Sequence, residues 1–238
     1  NMQRRIFLTS SLAGAAILGA CSTAPKNHPA GPAQPRDKAL RAAARQVEAQ
    51  TGGRLGLCVL DSGSGRRVAW RGGERFALCS TFKTLLAAQT LQRIAQGQES
   101  LQRRVRYGRA ALVPYAPITE QWADTPEGMS VQALMSASVV VSDNAAANLL
   151  LQANGGPAAL TQWLRALGDA HTRLDRMEPD LNSAEPGDVR DTTTPDAMAS
   201  TLRTLLLGDA VLPAPERDRL TRWLVQSRTG DQRLRAGF

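Results

Sequence analysis

Ser80 and Lys83 are the first two residues along this chain that could carry out a reaction together. They belong to CSTFK, residues 79–83, at the start of a run whose apolar residues predict a helix. Because they are three positions apart, both side chains share one helix face. Free N–H groups at a helix start favour developing negative charge, and a neutral lysine could take the serine proton. The pair is therefore suited to act as a nucleophilic serine with a lysine base. The alternative is a chance match, because ordinary composition yields S-x-x-K about once in a chain of this length.

The scarcity of lysine supports a special role for position 83. Only three of the 29 basic residues are lysines, and the other two, Lys26 and Lys38, lie near the N-terminus. Arginine keeps its proton in a protein, whereas a desolvated lysine can lose it. We therefore interpret Lys83 as a proton acceptor. The alternative is a lysine whose stem packs while its amine reaches solvent.

Two further polar groups could take part in the same chemistry. Ser142-Asp143-Asn144 interrupts two apolar helical patterns, and Glu178 and Asn182 lie four positions apart in a long polar stretch. Taken alone, the triplet could be a helix N-cap. The acid–amide pair could simply be polar loop residues that face solvent. A loop as long as 172–192 within a domain is usually functional, however.

The elements that must position these residues begin with a helix and a hairpin. Residues 38–50 repeat apolar side chains on one helical face and stop at a Gly-Gly pair. Two apolar segments, 54–60 and 66–70, flank DSGSG, which is typical of a β-hairpin turn. These elements predict an α/β part over 38–75.

The remainder, 76–226, predicts a mostly helical part. Pro157 begins one of its helices, Thr194-Pro195 opens another as cap and first residue, and a last helix runs from about 213 to 226.

In combination the three polar groups resemble the motifs of a known family. CSTFK, SDN at 142–144 and EPDLN at 178–182 follow the order and types found in class A serine β-lactamases. The similarity runs from about residue 39 to 238 and includes LVPYAPIT at 112–119 and PGDVRDTTTP at 186–195. It implies an α/β (α+β) fold of the serine β-lactamase/D,D-peptidase type. In that fold an antiparallel sheet is flanked by helices and joined to an all-helical subdomain, so that 38–238 would be the catalytic domain.

The resemblance also implies catalytic roles. Ser80 would attack the lactam carbonyl and become acylated, with its own N–H as half of the oxyanion hole. Lys83 is the leading candidate to activate Ser80, and Glu178 acting through a water is the competing one. Ser142 would pass a proton to the leaving nitrogen, and Glu178 with Asn182 would hold the deacylating water.

Other positions would bind substrate or support the site. Asn144 would hold the lysine and the substrate amide, and Tyr115 would lie at the mouth of the site. Arg233 would bind the substrate carboxylate. Arg176 and Asp191 would tie the long loop closed across its base and are structural.

The sequence departs from the family pattern at its C-terminal end. The third family motif, K-T-G or a variant, does not occur in it, and a lone hairpin needs more strands to be stable. We therefore expect the C-terminal strands and helix to be missing and this chain by itself to be inactive. Cys79 resembles branches that hydrolyse carbapenems, where this cysteine pairs with one beyond the third motif.

Other classes of protein fit less well. A D,D-peptidase shares S-x-x-K but lacks E-x-x-L-N. A β-lactam sensor usually belongs to a transmembrane signalling chain. An inert lipoprotein would be expected to lose Lys83 and Glu178 first. No cofactor or metal is expected, because His28, His171 and the three cysteines show no ligand spacing.

The expected partners are small-molecule β-lactams. The net charge of +8 comes from arginines spread along the chain, with no nucleic-acid-binding motif. We expect no nucleic-acid partner and a monomer.

The N-terminus predicts export. Arg4-Arg5 before an apolar run ending at Ala20 resembles a twin-arginine signal, and LGAC places Cys21 where a lipobox cysteine would be lipidated. The alternative is an ordinary signal peptide, residues 1–20, followed by a chance cysteine. Residues 21–37 are rich in proline and predict a flexible tether, and the location would be periplasmic.

Overall fold

The computed structural model describes residues 35–232 and 234–237. Within these residues the α-helices are α1 (Pro35–Thr51), α2 (Phe82–Ala95), α3 (Val131–Val140), α4 (Asn144–Ala153), α5 (Gly156–Ala166), α6 (Pro195–Leu207) and α7 (Ala214–Gln226). The strands are β1 (Leu57–Leu60), β2 (Arg67–Trp70), β3 (Phe76–Ala77), β4 (Arg104–Val105), β5 (Met129–Ser130) and β6 (Thr192–Thr193). Short 3-10 turns lie at Cys79–Thr81, Arg109–Ala111, Thr119–Trp122, Asp180–Asn182 and Leu234–Gly237.

The helix α2 lies at the centre of the core. Phe82, Leu85, Leu86 and Leu91 have no exposed surface, and α2 packs against α3, α4, α5 and α7. Apolar groups on nearly every side of the segment predicted this burial. A helix enclosed on all sides is a rigid support for Lys83 in its first turn.

The hairpin prediction is confirmed, with shorter strands than predicted. Strands β1 and β2 are antiparallel, with Leu57 opposite Trp70 and Leu60 opposite Arg67. The two other strand pairs, β3–β6 and β4–β5, are each two residues long, and the sequence analysis missed both. Two-residue strands are too short for an alternating pattern to reveal them.

The helix boundaries agree with the sequence patterns to within a few residues. The first helix begins at Pro35 rather than 38, because proline is favoured at the first position of a helix. Thr194 caps α6 by accepting the Ala197 N–H, as predicted, and α7 begins one residue after Pro213. The prediction of a mixed α/β fold, with antiparallel strands and a mostly helical part, is confirmed.

Candidate active site

Ser80 lies in a 3-10 turn, Cys79–Thr81, that leads directly into α2. Cys79 has a φ of 43°, in the left-handed region, and Ser80 is exposed while the helix after it is buried. The turn is held on its N-terminal side, where the Leu78 N–H donates to the Asp191 carbonyl at 2.8 Å. The candidate nucleophile is therefore open to a substrate on an otherwise enclosed element.

The Lys83 amine is buried among oxygen atoms. Its side chain is 2% exposed, so the alternative of an amine reaching solvent is wrong. Lys83 Nζ lies 3.3 Å from Ser80 Oγ, 2.8 Å from the Ser142 carbonyl and 3.0 Å from Ser142 Oγ. It also lies 2.5 Å from Asn144 Oδ1 and 3.0 Å from Glu178 Oε1.

These contacts divide the hydrogen-bonding capacity of Lys83 unequally. The Ser142 carbonyl and Asn144 Oδ1 can only accept, so they take two of the amine's N–H groups. The third site on Nζ, which is an N–H in the charged form and a lone pair in the neutral form, faces the two serine hydroxyls and Glu178. A third N–H can be donated there when the amine is charged, and a lone pair can accept a hydroxyl proton there when it is neutral.

Burial favours the neutral form of Lys83. Desolvation lowers the pKa of the amine below its ordinary value, and the charge of Glu178, which favours the protonated form, only partly offsets this effect. An amine with a lowered pKa beside a serine hydroxyl is suited to general-base chemistry.

The turn at Ser142 presents that residue to Lys83. Ser142 has a φ of 61°, an uncommon conformation for a residue other than glycine, and both its carbonyl and its hydroxyl contact Lys83 Nζ. Asp143 caps α4 by accepting the Ala146 N–H. The N-cap interpretation of the triplet therefore holds for Asp143.

Asp143 also has a role that the sequence analysis did not assign. It is completely buried, and its carboxylate accepts the N–H groups of Ile118 and Thr119 at 2.9 Å and the Thr119 hydroxyl at 2.8 Å. One carboxylate thus joins the Ser142 turn to the preceding loop.

Asn144 connects that loop to the lysine. Its N–H donates to the Tyr115 carbonyl at 2.9 Å and its side-chain amide donates to the Pro114 carbonyl at 2.8 Å. The same side chain offers Oδ1 to Lys83. Tyr115 is 60% exposed, in a position open to a ligand.

Glu178 is held between Lys83 and Asn182. Its residue is 4% exposed, Oε1 faces Lys83 Nζ, and Oε2 accepts the Asn182 side-chain amide at 2.6 Å. The structure thus joins Glu178, on the loop 172–192, to the Ser80–Lys83 pair.

Asn148 on α4 is a residue that the sequence analysis missed. Its side chain donates to the Glu178 carbonyl at 2.9 Å and accepts the Glu178 N–H at 3.0 Å. It lies one helical turn after Asn144, between buried alanines and leucines of α4, and is only 8% exposed. A buried amide in an apolar helix was the signal that could have identified it, because such a group needs partners.

The loop that carries Glu178 is closed at its base. Arg176 Nε lies 2.5 Å from Asp191 Oδ2, and Asp191 Oδ1 accepts the Asp175 and Arg176 N–H groups at 2.7 and 2.9 Å. Asp191 is 1% exposed. Because its carbonyl also accepts the Leu78 N–H, the base of the loop is tied to the segment before Ser80.

Two sequence-predicted positions, Arg233 and Cys21, lie outside the described residues. Cys58 and Cys79 are both free thiols. Burial raises the pKa of Cys79, and the charge of Glu178 raises it further. Along 35–232 and 234–237, no His, Cys, Asp and Glu side chains are grouped to hold a metal. None of the helices in those ranges has the length and apolar character to span a membrane.

This arrangement can support two proton transfers around one serine. One buried amine can exchange protons with Ser80 and Ser142, and one buried carboxylate on its other side is oriented by an amide. A nucleophilic attack and a later hydrolysis could therefore use different bases within one cluster.

Comparisons with known proteins indicate the family to which this chain belongs. Residues 38–238 match the model of the β-lactamase enzyme family. The chain is 49% identical to the carbapenem-hydrolysing β-lactamase KPC of Klebsiella oxytoca, over 80% of this chain and 64% of that protein. It is 44% identical to the β-lactamase AST-1 of Nocardia asteroides, over 99% and 76%.

Solved structures give the same result. The class A β-lactamase of the last common ancestor of Gram-negative bacteria superposes with a TM-score of 0.82 at 57% identity, covering 84% of this chain and 75% of that one. A β-lactamase from Xanthomonas campestris gives a TM-score of 0.82 at 49% identity, covering 85% and 74%. This chain therefore belongs to the class A serine β-lactamase family.

Proposed function

We propose that the protein hydrolyses β-lactam antibiotics through an acyl-enzyme on Ser80 and so gives antibiotic resistance. The observation that carries the proposal is the position of Lys83 Nζ, within 3.3 Å of Ser80 Oγ, Ser142 Oγ and Glu178 Oε1. The chain spans 64% of the length of the carbapenem-hydrolysing relative, so the proposal concerns the full-length gene product.

Acylation would begin with the Ser80 hydroxyl. Its oxygen bonds to the lactam carbonyl carbon as its proton passes to neutral Lys83, and the Ser80 N–H stabilises the oxyanion. The lactam C–N bond then breaks, and its nitrogen takes a proton through Ser142, which Lys83 resupplies. The contacts of Lys83 with both hydroxyls support this relay.

Deacylation would use the carboxylate on the other side of Lys83. Glu178, held by Asn182, takes a proton from a water whose oxygen attacks the ester carbonyl. The ester bond breaks, Ser80 regains its proton, and a ring-opened acid leaves. Glu178 acting through a water could also activate Ser80, and both routes use the same residues.

Three residues are proposed to bind the substrate. Asn144 would hold the substrate's side-chain amide, the exposed Tyr115 would cover it at the mouth of the site, and Arg233 would hold its carboxylate. The proposed substrate class is the β-lactams as a whole. A carbapenem belongs in the test panel because one relative is named for carbapenem hydrolysis and because Cys79 precedes Ser80.

The rival functions predict a different fate for the acyl-enzyme. A D,D-peptidase or a β-lactam sensor would be acylated by penicillin and would stay so. The pairing of Glu178 Oε2 with Asn182 at 2.6 Å, against the buried Lys83, favours hydrolysis over both.

We also propose that the protein is a periplasmic monomer, anchored through a lipid on Cys21. The sequence of residues 4–21 supports this part of the proposal.

The test is to mix the full-length protein with benzylpenicillin and to follow protein mass and hydrolysed drug over time. We expect a short-lived adduct on Ser80 and many turnovers, and none of either with Ser80→Ala. A permanent adduct without turnover would refute the hydrolase and favour the sensor or peptidase.

A further inference from the structure

A cavity of about 330 Å³ lies against the outer face of α3. Helix α3 contributes Ala133, Ala137 and Val140 to its lining, and the loop before it contributes Ile118 and Trp122. Most of the lining is apolar. Ser80, Lys83 and Glu178 do not line this cavity, so it is distinct from the candidate active site.

The polar groups of this cavity are few. The polar side chains among its lining residues are those of Arg104, Ser130 and Ser136, and the Ser130 hydroxyl already accepts the Ala133 N–H at 3.1 Å. Arg104 Nε donates to the Glu127 carbonyl at 3.0 Å, which orients the guanidinium. No described carboxylate forms an ion pair with Arg104, whereas its neighbour Arg103 is paired with Glu99 at 2.6 Å.

The size and the lining together define a class of ligand. The volume is at the lower end of the range for small-molecule sites, roughly 300–1,000 Å³, and such sites are mostly apolar with a few oriented polar groups. An unpaired guanidinium is the group that best binds a carboxylate, through two parallel hydrogen bonds. The apolar walls, including the ring of Trp122, suit an aromatic or branched hydrocarbon body.

We propose that this cavity binds a small organic carboxylate with an aromatic or branched apolar body. The carboxylate pairs with Arg104, and the apolar body lies between α3 and Trp122. The site is separate from the β-lactam site and does not depend on the proposed hydrolysis.

The walls of the cavity are bonded to the turn that carries Ser142. The Ala137 carbonyl accepts the N–H groups of Val141 and Asp143 at 3.3 and 3.1 Å, and the Ile118 N–H donates to the Asp143 carboxylate. A ligand in the cavity would therefore lie against residues whose backbone positions Ser142. Hydrogen bonds therefore connect the residues of the cavity to the turn of the candidate active site.

The test is calorimetric titration of the full-length protein with 4-tert-butylbenzoate and, as its uncharged match, 4-tert-butylbenzamide. For a ligand of this size we expect a dissociation constant on the order of 1 mM for the carboxylate. Arg104→Gln should weaken carboxylate binding about fivefold or more and leave the amide unchanged. Arg106→Gln, an exposed neighbour that does not line the cavity, should change neither.

A second variant tests the location of the site. Ser136→Phe fills the cavity and should weaken binding of both probes about tenfold or more, since one ring occupies most of the apolar space. Gln132→Phe, one turn earlier at an exposed position that does not line the cavity, should not. If Ser136→Phe fails to fold by circular dichroism, Ala133→Leu replaces it.

Three results would overturn the proposal: no saturable binding of the carboxylate, equal affinity of the two probes together with no effect of Arg104→Gln, or undiminished binding after the cavity is filled. Because no turnover is measured, a failure here is distinct from a failure of the hydrolase proposal.

Discussion

Lys83 Nζ and Glu178 Oε1 lie 3.0 Å apart, with side chains 2% and 0% exposed. Both groups therefore lie in a place that bulk water barely reaches. Burial pushes Lys83 towards the neutral amine, and the charge of Glu178 pushes it back towards the ammonium. The net result is a Lys83 amine whose pKa lies below its ordinary value.

Replacing Glu178 should separate the two halves of the reaction. In Glu178→Gln we expect Ser80 still to be acylated by benzylpenicillin, while deacylation falls about 10²–10⁴-fold, the usual contribution of a general base. Stopped-flow release of hydrolysed drug and intact mass measure the two steps. Glu185→Gln, at an exposed position of the same loop, is the control and should behave like the parent protein. Rapid deacylation in Glu178→Gln would contradict the role of Glu178.

Replacing Lys83 by arginine keeps the charge but removes the ability to give up a proton. We expect acylation in Lys83→Arg to fall about 10²–10⁴-fold, because arginine stays protonated in proteins. The second-order rate constant for adduct formation measures the effect. Lys38→Arg, on α1, should leave it unchanged. An acylation rate near that of the parent protein would show that Lys83 is not the base.

The pH dependence of acylation should report the lowered pKa of Lys83. If neutral Lys83 is the base, the rate rises with pH through a midpoint below 10.5, the ordinary value for lysine. Glu178 raises the pKa of Lys83, so Glu178→Gln should move this midpoint to lower pH. The same rate constants, measured in both proteins across the pH range, test the prediction. A midpoint that does not move in Glu178→Gln would contradict the prediction.

The lowered pKa of Lys83 also predicts how the free energy of unfolding changes with pH. The folded-state pKa of Lys83 lies below its unfolded value, so the unfolded chain binds more protons between the two values. In the parent protein the contribution of Lys83 to the free energy of unfolding therefore increases with pH in that window. Denaturant titrations of the parent and of Lys83→Met should differ most at the low-pH end, where the parent carries the cost of a buried charge. A difference that does not change with pH would contradict this sign.

Asn148 should affect deacylation because it holds the Glu178 backbone through two hydrogen bonds. Asn148→Ala removes two hydrogen bonds and should lower the free energy of unfolding by about 1–3 kcal/mol, because buried groups lose their partners. It should also slow deacylation more than acylation, since Glu178 loses its position while Ser80 and Lys83 keep theirs.

The matched control for Asn148 is Asn154, the buried amide just after α4. Asn154 donates to Gln89 Oε1 at 3.2 Å and to Thr90 Oγ1 at 2.8 Å, away from the candidate site. Asn154→Ala should lower the free energy of unfolding by a similar amount and leave the ratio of the acylation and deacylation rates unchanged. If both variants alter that ratio equally, Asn148 is a stability residue only.

Local patterns in the sequence predicted the candidate reacting groups and most of the helices. Ser80 and Lys83 share a face because a helix repeats every 3.6 residues, and the apolar run after them predicted a buried helix. The caps at Thr194 and Asp143 follow from side chains that bond the free N–H groups of a helix start. The same kind of local evidence predicted the β1–β2 hairpin.

Only the tertiary structure decided which distant groups meet. The pattern around Lys83 left open whether its amine reached solvent, and the fold brings it to Ser142, 59 residues away, and to Glu178. The bonds from Asn148 to the Glu178 backbone and the pairing of β3 with β6 had no periodic signal. Such contacts depend on how helices pack and how a long loop closes, which a short-range repeat does not encode. Sequence therefore predicted the candidate chemistry, whereas packing decided its geometry and lowered the pKa of Lys83.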